Sequence, residues 1–353
     1  MPGAPLRAHL GLSTPSALGR PTQAVLGLVG PLVAVAATAL AGACGPQVPT
    51  DKPIDSKTDP KPAASSLSAL ETDLLTLTSD GFEGRGAGTA GGRRATAYLA
   101  DRLTQAGLTP FDTDFRQSFS FESRGTQLEG INLVAAAPNP DLDRPTHSAL
   151  DCAHSLVVLT AHYDHLGTID GEVFNGADDN ASGVAVALHV AERAIGTGRP
   201  FHLVLALLDA EEVGLRGARA LIERWPASVE ERIEANLNLD MVGRSDGGVL
   251  WVAGAHHTAW LDPIVADLEG AAAIDVRGGR DHPGEPPDWT GSSDHAVFHR
   301  AGIPFLYFGV DDHPDYHRAT DDVEKLDRRF MTATIDVIER ALVRIGEHIV
   351  SKS

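Results

Sequence analysis

Five side chains that can bind metal ions are scattered along this chain, each directly after a short apolar run. They are His162, Asp178, Glu212, Asp240 and His317. Imidazole nitrogens and carboxylate oxygens are zinc donors, and bound zinc lowers the pKa of water. Glu211 adjoins one of the five and would be free to take a proton from such water. Two histidines and three carboxylates can hold two zinc ions, so the residue types indicate a metal-dependent hydrolase.

The first segment, His162-Tyr163-Asp164, follows the apolar run LVVLTA. Residues two apart in an extended chain face the same side, so Asp164 can accept a hydrogen bond from the imidazole of His162. Such a carboxylate orients a metal-bound histidine. The pair therefore predicts one ligand and its supporting residue.

The other segments combine carboxylates in patterns that suit cations. In the segment GADDNASG, a carboxylate such as Asp178 can use its two oxygens on two cations, and the same residues would also cap the next helix. Glu211 and Glu212 are adjacent, and adjacent carboxylates repel unless a cation intervenes. Because neighbouring residues point in different directions, one can bind metal while the other holds water.

The elements that would position these residues alternate along the chain. Apolar runs predict strands at 131–137, 156–161, 203–208, 235–239, 249–253 and 304–308. Amphipathic segments predict helices at 93–106, 182–194, from about 215, 261–268 and 326–350, with Gly107 capping the first. This alternation predicts one α/β domain of three layers, a mostly parallel mixed sheet with helices on both faces. Ligands bind outside the carboxyl ends of such strands, so the sheet would bring the five residues together.

The sequence pattern of the N-terminal part is typical of a targeting region. Arg7 and Arg20 precede an apolar run at 24–41, and small residues lead to Cys44, which predicts a lipoprotein-type signal peptide over 1–43. The segment 44–66 is rich in Pro, Asp and Lys and predicts a disordered tether, followed by a catalytic domain over 67–353. An exported, lipid-anchored protein is expected. A retained membrane anchor or a soluble secreted form are the alternatives. Cys152 would then be a free thiol.

The net charge of −19, from 48 acidic and 29 basic residues, argues against nucleic acid as a partner, because binding to it requires a basic surface. Any contact with a membrane is expected only through the N-terminal lipid or anchor. Nothing in the sequence indicates an oligomeric state.

Together the motifs resemble the family of co-catalytic di-zinc aminopeptidases, whose distant relatives include glutamate carboxypeptidase and glutaminyl cyclase. The similarity runs from about Leu70 to the C-terminus and covers His162-x-Asp164, GADDNASG, AEE, LDM, Ser293-Asp294-His295 and Tyr316-His317. It implies the zinc-exopeptidase fold, two zinc ions per chain and peptide substrates.

The resemblance also implies roles. It gives one zinc ion to His162 and Asp240, a second to Glu212 and His317, and makes Asp178 the carboxylate shared by both. Glu211 would be the general base, and Tyr316 would steady the oxyanion. Asp164, Asp179 and Asp294 would support the ligands, and the bond between Asp178 and Asp179 would be cis. His295 is expected to support the site together with Asp294, and His165, His299 and His313 are expected to be loop or core histidines.

The expected activity is removal of N-terminal residues from peptides, with specificity set partly by the loop 280–293. Three alternatives stay open. A glutaminyl cyclase would bind one zinc and release ammonia from an N-terminal Gln. A carboxypeptidase would bind a free C-terminus, for which Arg244, Arg280 and Arg318 are available. A non-catalytic, receptor-like zinc-binding protein is the third.

Overall fold

The computed structural model describes residues 64–142, 154–284 and 286–352. The predicted signal peptide, most of the predicted tether, Cys44 and Cys152 lie outside these residues. The first helix begins at Ala64, so the predicted tether overlaps it by its last three residues, 64–66. None of the described helices is long and apolar enough to cross a membrane.

The strands, in chain order, are β1 (Thr109–Pro110), β2 (Arg116–Ser123), β3 (Thr126–Ala136), β4 (Ser155–His162), β5 (Gly167–Ile169), β6 (Glu172–Phe174), β7 (Phe201–Leu208), β8 (Ile233–Leu239), β9 (Val249–Ala253), β10 (Asp275–Gly278) and β11 (Phe305–Gly309). Within the described residues nine of them form one sheet in the order β1-β3-β7-β4-β8-β11-β9-β10, with β2 paired to β3, while β5 and β6 form a separate hairpin.

The four central strands, β7, β4, β8 and β11, are parallel. The pairs β1–β3, β2–β3, β3–β7 and β9–β11 are antiparallel, whereas β9 and β10 are parallel. The predicted mixed sheet is confirmed, but its parallel character belongs to the centre. There the strands are apolar throughout because both faces are covered. Four carboxyl ends therefore meet at one edge.

The helices are α1 (Ala64–Leu77), α2 (Ala90–Gln105), α3 (Gly183–Arg193), α4 (Arg216–Arg224), α5 (Ala227–Glu230), α6 (Asp262–Ala271), α7 (His295–Arg300) and α8 (Arg328–Lys352). Alternate residues of β4 face opposite layers. Val157 and Leu159 pack with α1, α2, α3, α6 and α8, whereas Leu156 and Val158 pack with α4 and α7. This is the predicted three-layer arrangement.

Local sequence explains where the helices begin and end. Thr89 Oγ1 accepts from the Gly92 N–H at 3.2 Å at the start of α2. The helix is followed by Gly107 in the left-handed region at φ 81°, as its sequence predicted. At the start of α8, the Asp327 carboxylate accepts from the N–H groups of Arg329 and Phe330. The second half of β3 was predicted as the strand 131–137, whereas β2, the first half of β3, α1 and α7 were not predicted.

Candidate metal centre

The ends of the four central strands carry the candidate ligands. His162 is the last residue of β4, and Asp240 directly follows β8. Glu212 lies in the turn after β7, and His317 lies in the loop after β11. The remaining segment, Ala177–Ser182, is a π-helical turn between the β5–β6 hairpin and α3. Strands far apart in sequence thus deliver their side chains to one place.

The first ligand group consists of His162, Asp179 and Asp240, all of them buried. His162 Nε2 lies 3.3 Å from Asp240 Oδ1 and 3.4 Å from Asp179 Oδ1. One imidazole and two carboxylates are a donor set that suits zinc.

The second ligand group contains His165, Asp179 and Glu212. His165 Nδ1 lies 2.8 Å from Glu212 Oε1 and 3.7 Å from Asp179 Oδ2. His317 approaches the same two carboxylates from another side, with Nε2 3.1 Å from Asp179 Oδ2 and 3.4 Å from Glu212 Oε2. Asp179 is therefore common to both groups, with one oxygen toward each.

The assignment of the shared carboxylate to Asp178 is wrong by one residue. Asp178 Oδ1 accepts from the Gly243 N–H at 2.6 Å and from Ser182 Oγ at 3.0 Å. Asp178 Oδ2 lies 3.1 Å from His313 Nε2. These contacts hold the Asp178 carboxylate outside both ligand groups, so Asp178 supports the turn. The cis bond also lies one residue later than expected, between Asp179 and Asn180.

His165 was expected to be a loop or core histidine. Its side chain is buried, as in a core residue, and its imidazole also lies within the second ligand group. The signal for this was its position three residues after His162, at the same strand end. The imidazole of His313, in contrast, contacts Asp178 and lies outside both groups.

Asp164 connects two of the ligand-bearing segments. Its Oδ1 lies 3.7 Å from His162 Nδ1, and the same imidazole nitrogen lies 3.1 Å from the Asp164 carbonyl oxygen. The Asp164 carboxylate also accepts from the N–H groups of Glu211 at 3.0 Å and Glu212 at 3.3 Å. Asp164 thus orients the imidazole of one group through its backbone carbonyl, and its carboxylate holds the turn that carries the other.

The backbone is strained where these side chains are presented. Ala210, Met241 and His317 all have positive φ, at 59°, 59° and 53°. Side-chain-bearing residues rarely adopt this region, and such outliers concentrate at functional sites. Each of the three lies at or beside a candidate ligand or base. The turns after β7, β8 and β11 therefore bend away from strand geometry where they must present a side chain.

Electrostatics indicate that the site is built for cations. Burial and the charge of Glu212 raise the pKa of Asp179, and burial raises that of Glu211 well above its usual range. Burial alone would raise the pKa of Glu212 too, but the hydrogen bonds from His165 and His317 bring it far below its usual value. Carboxylates packed this closely repel one another unless positive charge lies between them. The donor set and this excess of negative charge both fit divalent metal ions.

Arg85 is a fully buried cation below the site. Its guanidinium donates to the carbonyl oxygens of Tyr163 and Gly176 at 2.8 and 2.9 Å, and to those of Leu77 and Asn175 at 2.7 and 2.6 Å. Burial lowers its pKa to about 10, so it remains charged at neutral pH. Arg85 therefore joins the segment after β4 to the turn that carries the shared carboxylate. It also offsets part of the negative charge.

The two groups open into a cleft of about 300 Å³. Its lining residues are His162, Asp179, Glu211, Glu212, Asp240, Met241, Trp289, Ser292, Tyr307, Val310, Asp312, Tyr316 and His317. Trp289 and Ser292 belong to the predicted specificity loop. Tyr316 stacks on the imidazole of His317 with ring centroids 3.9 Å apart. Asp294 is fully buried near His162, and burial raises the pKa of its carboxyl to about 8.

Residues 144–342 match the model of peptidase family M28. The chain belongs to this family. Leupeptin-inactivating enzyme 1 of Streptomyces exfoliatus is 28% identical over 297 residues, which are 79% of this chain and 58% of that protein. The chain thus spans little more than half the length of that relative.

Two solved structures show the same fold. A zinc aminopeptidase from Bacillus subtilis aligns with a TM-score of 0.62 and 16% identity, over 78% of this chain and 94% of that one. The glutaminyl cyclase of Porphyromonas gingivalis aligns with a TM-score of 0.57 and 21% identity, over 78% of this chain and 97% of that one. At these identities the likeness concerns the fold alone, so activity must be argued from the site.

Proposed function

We propose that this protein is a zinc-dependent exopeptidase that removes N-terminal residues from peptides. The observation that carries the proposal is Asp179, whose two oxygens face two separate ligand groups with Glu211 beside them in an acidic cleft. Membership of peptidase family M28 supports a peptide hydrolase. The name of the Bacillus zinc aminopeptidase supports the choice of metal.

In this proposal His162, Asp179 and Asp240 would hold one zinc ion, and Asp179, Glu212 and His317 would hold a second. When bound, zinc supplies Lewis acidity, which polarises a peptide carbonyl and acidifies water. The protein contributes the fixed positions of these donors. Apart from Asp179, they follow the ends of neighbouring strands, and Asp164 and Arg85 hold their segments from behind.

Glu211 is the general base of the proposed reaction. It lines the cleft, belongs to neither ligand group, and burial raises its pKa. A carboxylate that is more basic than usual takes a proton from attacking water and returns it to the departing amine. Bound cations would lower this pKa again, so that Glu211 is ionised at neutral pH. Tyr316 also lines the cleft, and in this proposal it donates its hydroxyl hydrogen to the oxyanion.

The charge of the cleft favours the amino end of a peptide. Five of the lining residues are Asp or Glu, and among the described residues that line the cleft none is Lys or Arg. A protonated α-amino group is attracted to such a surface, whereas a free C-terminal carboxylate is repelled.

None of the three arginines that a carboxypeptidase could use lines the cleft. Arg244 pairs with Asp246 and Asp315, each at 2.7 Å. Arg280 pairs with Asp311 at 2.7 Å, with its guanidinium over Trp251. Arg318 is exposed and does not line the cleft. A carboxypeptidase is therefore disfavoured, and two complete ligand groups argue against a cyclase with one metal ion and a receptor that has lost its ligands.

The experiment combines metal analysis with three peptides. Purified protein is expected to hold two zinc ions, and a chelator should abolish hydrolysis of a leucyl p-nitroanilide. An N-acetylated peptide should resist cleavage, whereas a C-amidated one should be cleaved. The reverse pattern would make the protein a carboxypeptidase, and ammonia release from a Gln-initiated peptide without hydrolysis would make it a cyclase.

A matched pair of variants tests the base. Glu211→Gln should lose at least 100-fold in kcat, the lower limit of a general-base contribution of about 10²–10⁴, with both zinc ions retained. Glu172→Gln, on the exposed edge of β6, is the control. A near-normal rate for Glu211→Gln would show that Glu211 is not the general base.

Export with a lipid on Cys44 is also part of the proposal, supported by the N-terminal sequence pattern. Palmitate labelling that persists in Cys44→Ala would contradict it.

A further inference from the structure

His165 directs one ring nitrogen at the second ligand group. The side chain is completely buried, and Nδ1 lies 2.8 Å from Glu212 Oε1 and 3.7 Å from Asp179 Oδ2. Nε2 is also buried and has no hydrogen-bond partner among the described residues. The polar contacts of this imidazole are therefore concentrated where a cation would sit.

The backbone on the other side of the ring fixes this orientation. Gly176 packs so closely that a Cβ added there would lie 2.4 Å from Cγ of His165. Gly176 also has φ 55°, a conformation that suits glycine. With no room to swing away, Nδ1 of His165 is held in place before any metal ion arrives. Such pre-organisation is what a metal site requires of its donors.

His317 contacts the same two carboxylates from a more exposed position. Its side chain is 38% exposed, and it is stacked on Tyr316 at the cleft wall. The two imidazoles do not replace each other: His165 faces Glu212 Oε1, whereas His317 faces Glu212 Oε2. One histidine approaches from the protein interior and the other from the cleft.

We propose that His165 is a fourth protein ligand of the second metal subsite, binding through Nδ1 together with Asp179, Glu212 and His317. The inference rests on the proposed function only in requiring that metal ions bind. It makes the two subsites unequal, because the first has three protein donors, His162, Asp179 and Asp240. A metal ion with four protein donors, one of them buried and pre-oriented, is bound more tightly and leaves fewer positions for exchangeable ligands. The second subsite is therefore the tighter one.

The alternative is that His165 only donates a hydrogen bond to Glu212 and orients it. His165→Asn separates the two roles, because its amide N–H replaces the donor near Nδ1 but is a poor zinc ligand. The matched control is His189→Asn, which removes another buried histidine on α3, outside both ligand groups. Both variants and the wild type are stripped of metal. They are then titrated with zinc against a chromophoric chelator, and with cobalt(II) while visible absorption is recorded.

The wild type should bind two zinc ions, one more tightly than the other. His165→Asn should weaken the tighter site at least tenfold and change its cobalt absorption bands, while the other site shifts less than twofold. His189→Asn should match the wild type. Two unchanged affinities and an unchanged cobalt spectrum in His165→Asn would overturn the inference, since a hydrogen bond alone would then suffice.

A second pair keeps the test decisive if His165→Asn fails to fold. His165→Cys supplies a thiolate donor, and His165→Ser has nearly the same shape without one. The inference requires the His165→Cys variant to bind the second metal ion at least tenfold more tightly than the His165→Ser variant. Equal affinities of the two variants would overturn it. Binding of fewer than two zinc ions by the wild type would instead contradict the proposed function, so the two failures are distinguishable.

Discussion

Replacing Asp178 or Asp179 with Asn distinguishes the roles of two neighbouring carboxylates that the sequence alone cannot tell apart. Asp179→Asn removes the carboxylate that both ligand groups share, so zinc content should fall below one equivalent. Burial and Glu212 raise the pKa of Asp179, which means that its ionised form is unfavourable in the metal-free site. At a pH above this raised pKa, a neutral Asn avoids the cost of burying the ionised carboxylate. The metal-free variant should therefore be no less stable than the wild type.

Asp178→Asn should have the opposite effect. The Asp178 carboxylate accepts from the Gly243 N–H at 2.6 Å and Ser182 Oγ at 3.0 Å, and contacts His313 Nε2 at 3.1 Å. An Asn side chain can keep one acceptor contact but loses the charge. Hydrogen bonds to charged groups contribute about 1.5–3 kcal/mol each, so we expect a loss of about 2–4 kcal/mol. At roughly 2–4 °C per kcal/mol for a domain of this size, Tm should fall by roughly 4–16 °C.

The assay is zinc content after dialysis, together with thermal unfolding of metal-free and metal-loaded protein. Two zinc ions and a lowered Tm are expected for Asp178→Asn, whereas little zinc and an unchanged metal-free Tm are expected for Asp179→Asn. A folded Asp178→Asn without zinc, beside an Asp179→Asn that retains two ions, would refute the reasoning and restore Asp178 as the shared ligand.

Three further predictions concern the support of the site. Arg85→Lys cannot satisfy four carbonyl oxygens and should lower the free energy of unfolding by about 2–4 kcal/mol, measured by denaturant titration; an unchanged midpoint would contradict this. Burial lowers the pKa of His295 from 6.5 to about 4, so the unfolded chain binds more protons between these values. His295 should therefore contribute a loss of about 3 kcal/mol as pH drops from 6.5 to 4. The difference in unfolding free energy between the wild type and His295→Gln should change by that amount over this range, and a constant difference would count against it. Zinc at a free concentration of ~1,000 Kd should raise the free energy of unfolding of the wild type by about 4 kcal/mol per site, but not that of Asp179→Asn. An equal rise in Tm in both proteins would show that Asp179 is not a metal ligand.

The sequence predicted the central strands well because they are buried on both faces. Runs such as LVVLTA, before His162, and LVLALL, before Asp209, have no alternation and no turn residues, and each became one strand of the parallel core. The polar residue that follows each run then lies at the sheet edge by topology alone. This is why His162, Glu212 and Asp240 could be brought together without a structure.

The residues whose side-chain directions the sequence could not determine lie outside regular helices and strands, where the periodicity of neither element applies. Asp178 and Asp179 occupy a π-helical turn in which Asp179 and Asn180 have non-helical dihedral angles, so position along the chain does not tell which side chain faces the cleft. His165 lies beyond the end of β4, past the last residue whose direction the strand determines. In both cases the orientation is set by long-range contacts, with Asp321 for the turn and Gly176 for the imidazole.

The charge of the site connects folding with metal binding. Asp321 accepts from the N–H groups of Asp178 and Asp179, and its own pKa is raised to about 6 by burial and by the charge of Asp178. The turn is thus held in place by carboxylates that themselves repel one another, with Arg85 as a buried compensating charge. One arginine cannot neutralise so many acids, so two divalent cations would relieve a repulsion already built into the fold. Because metal ions bind the folded chain and relieve this repulsion, their binding free energy adds to the stability of the folded chain. For this reason, the zinc dependence of Tm tests the site independently of any substrate.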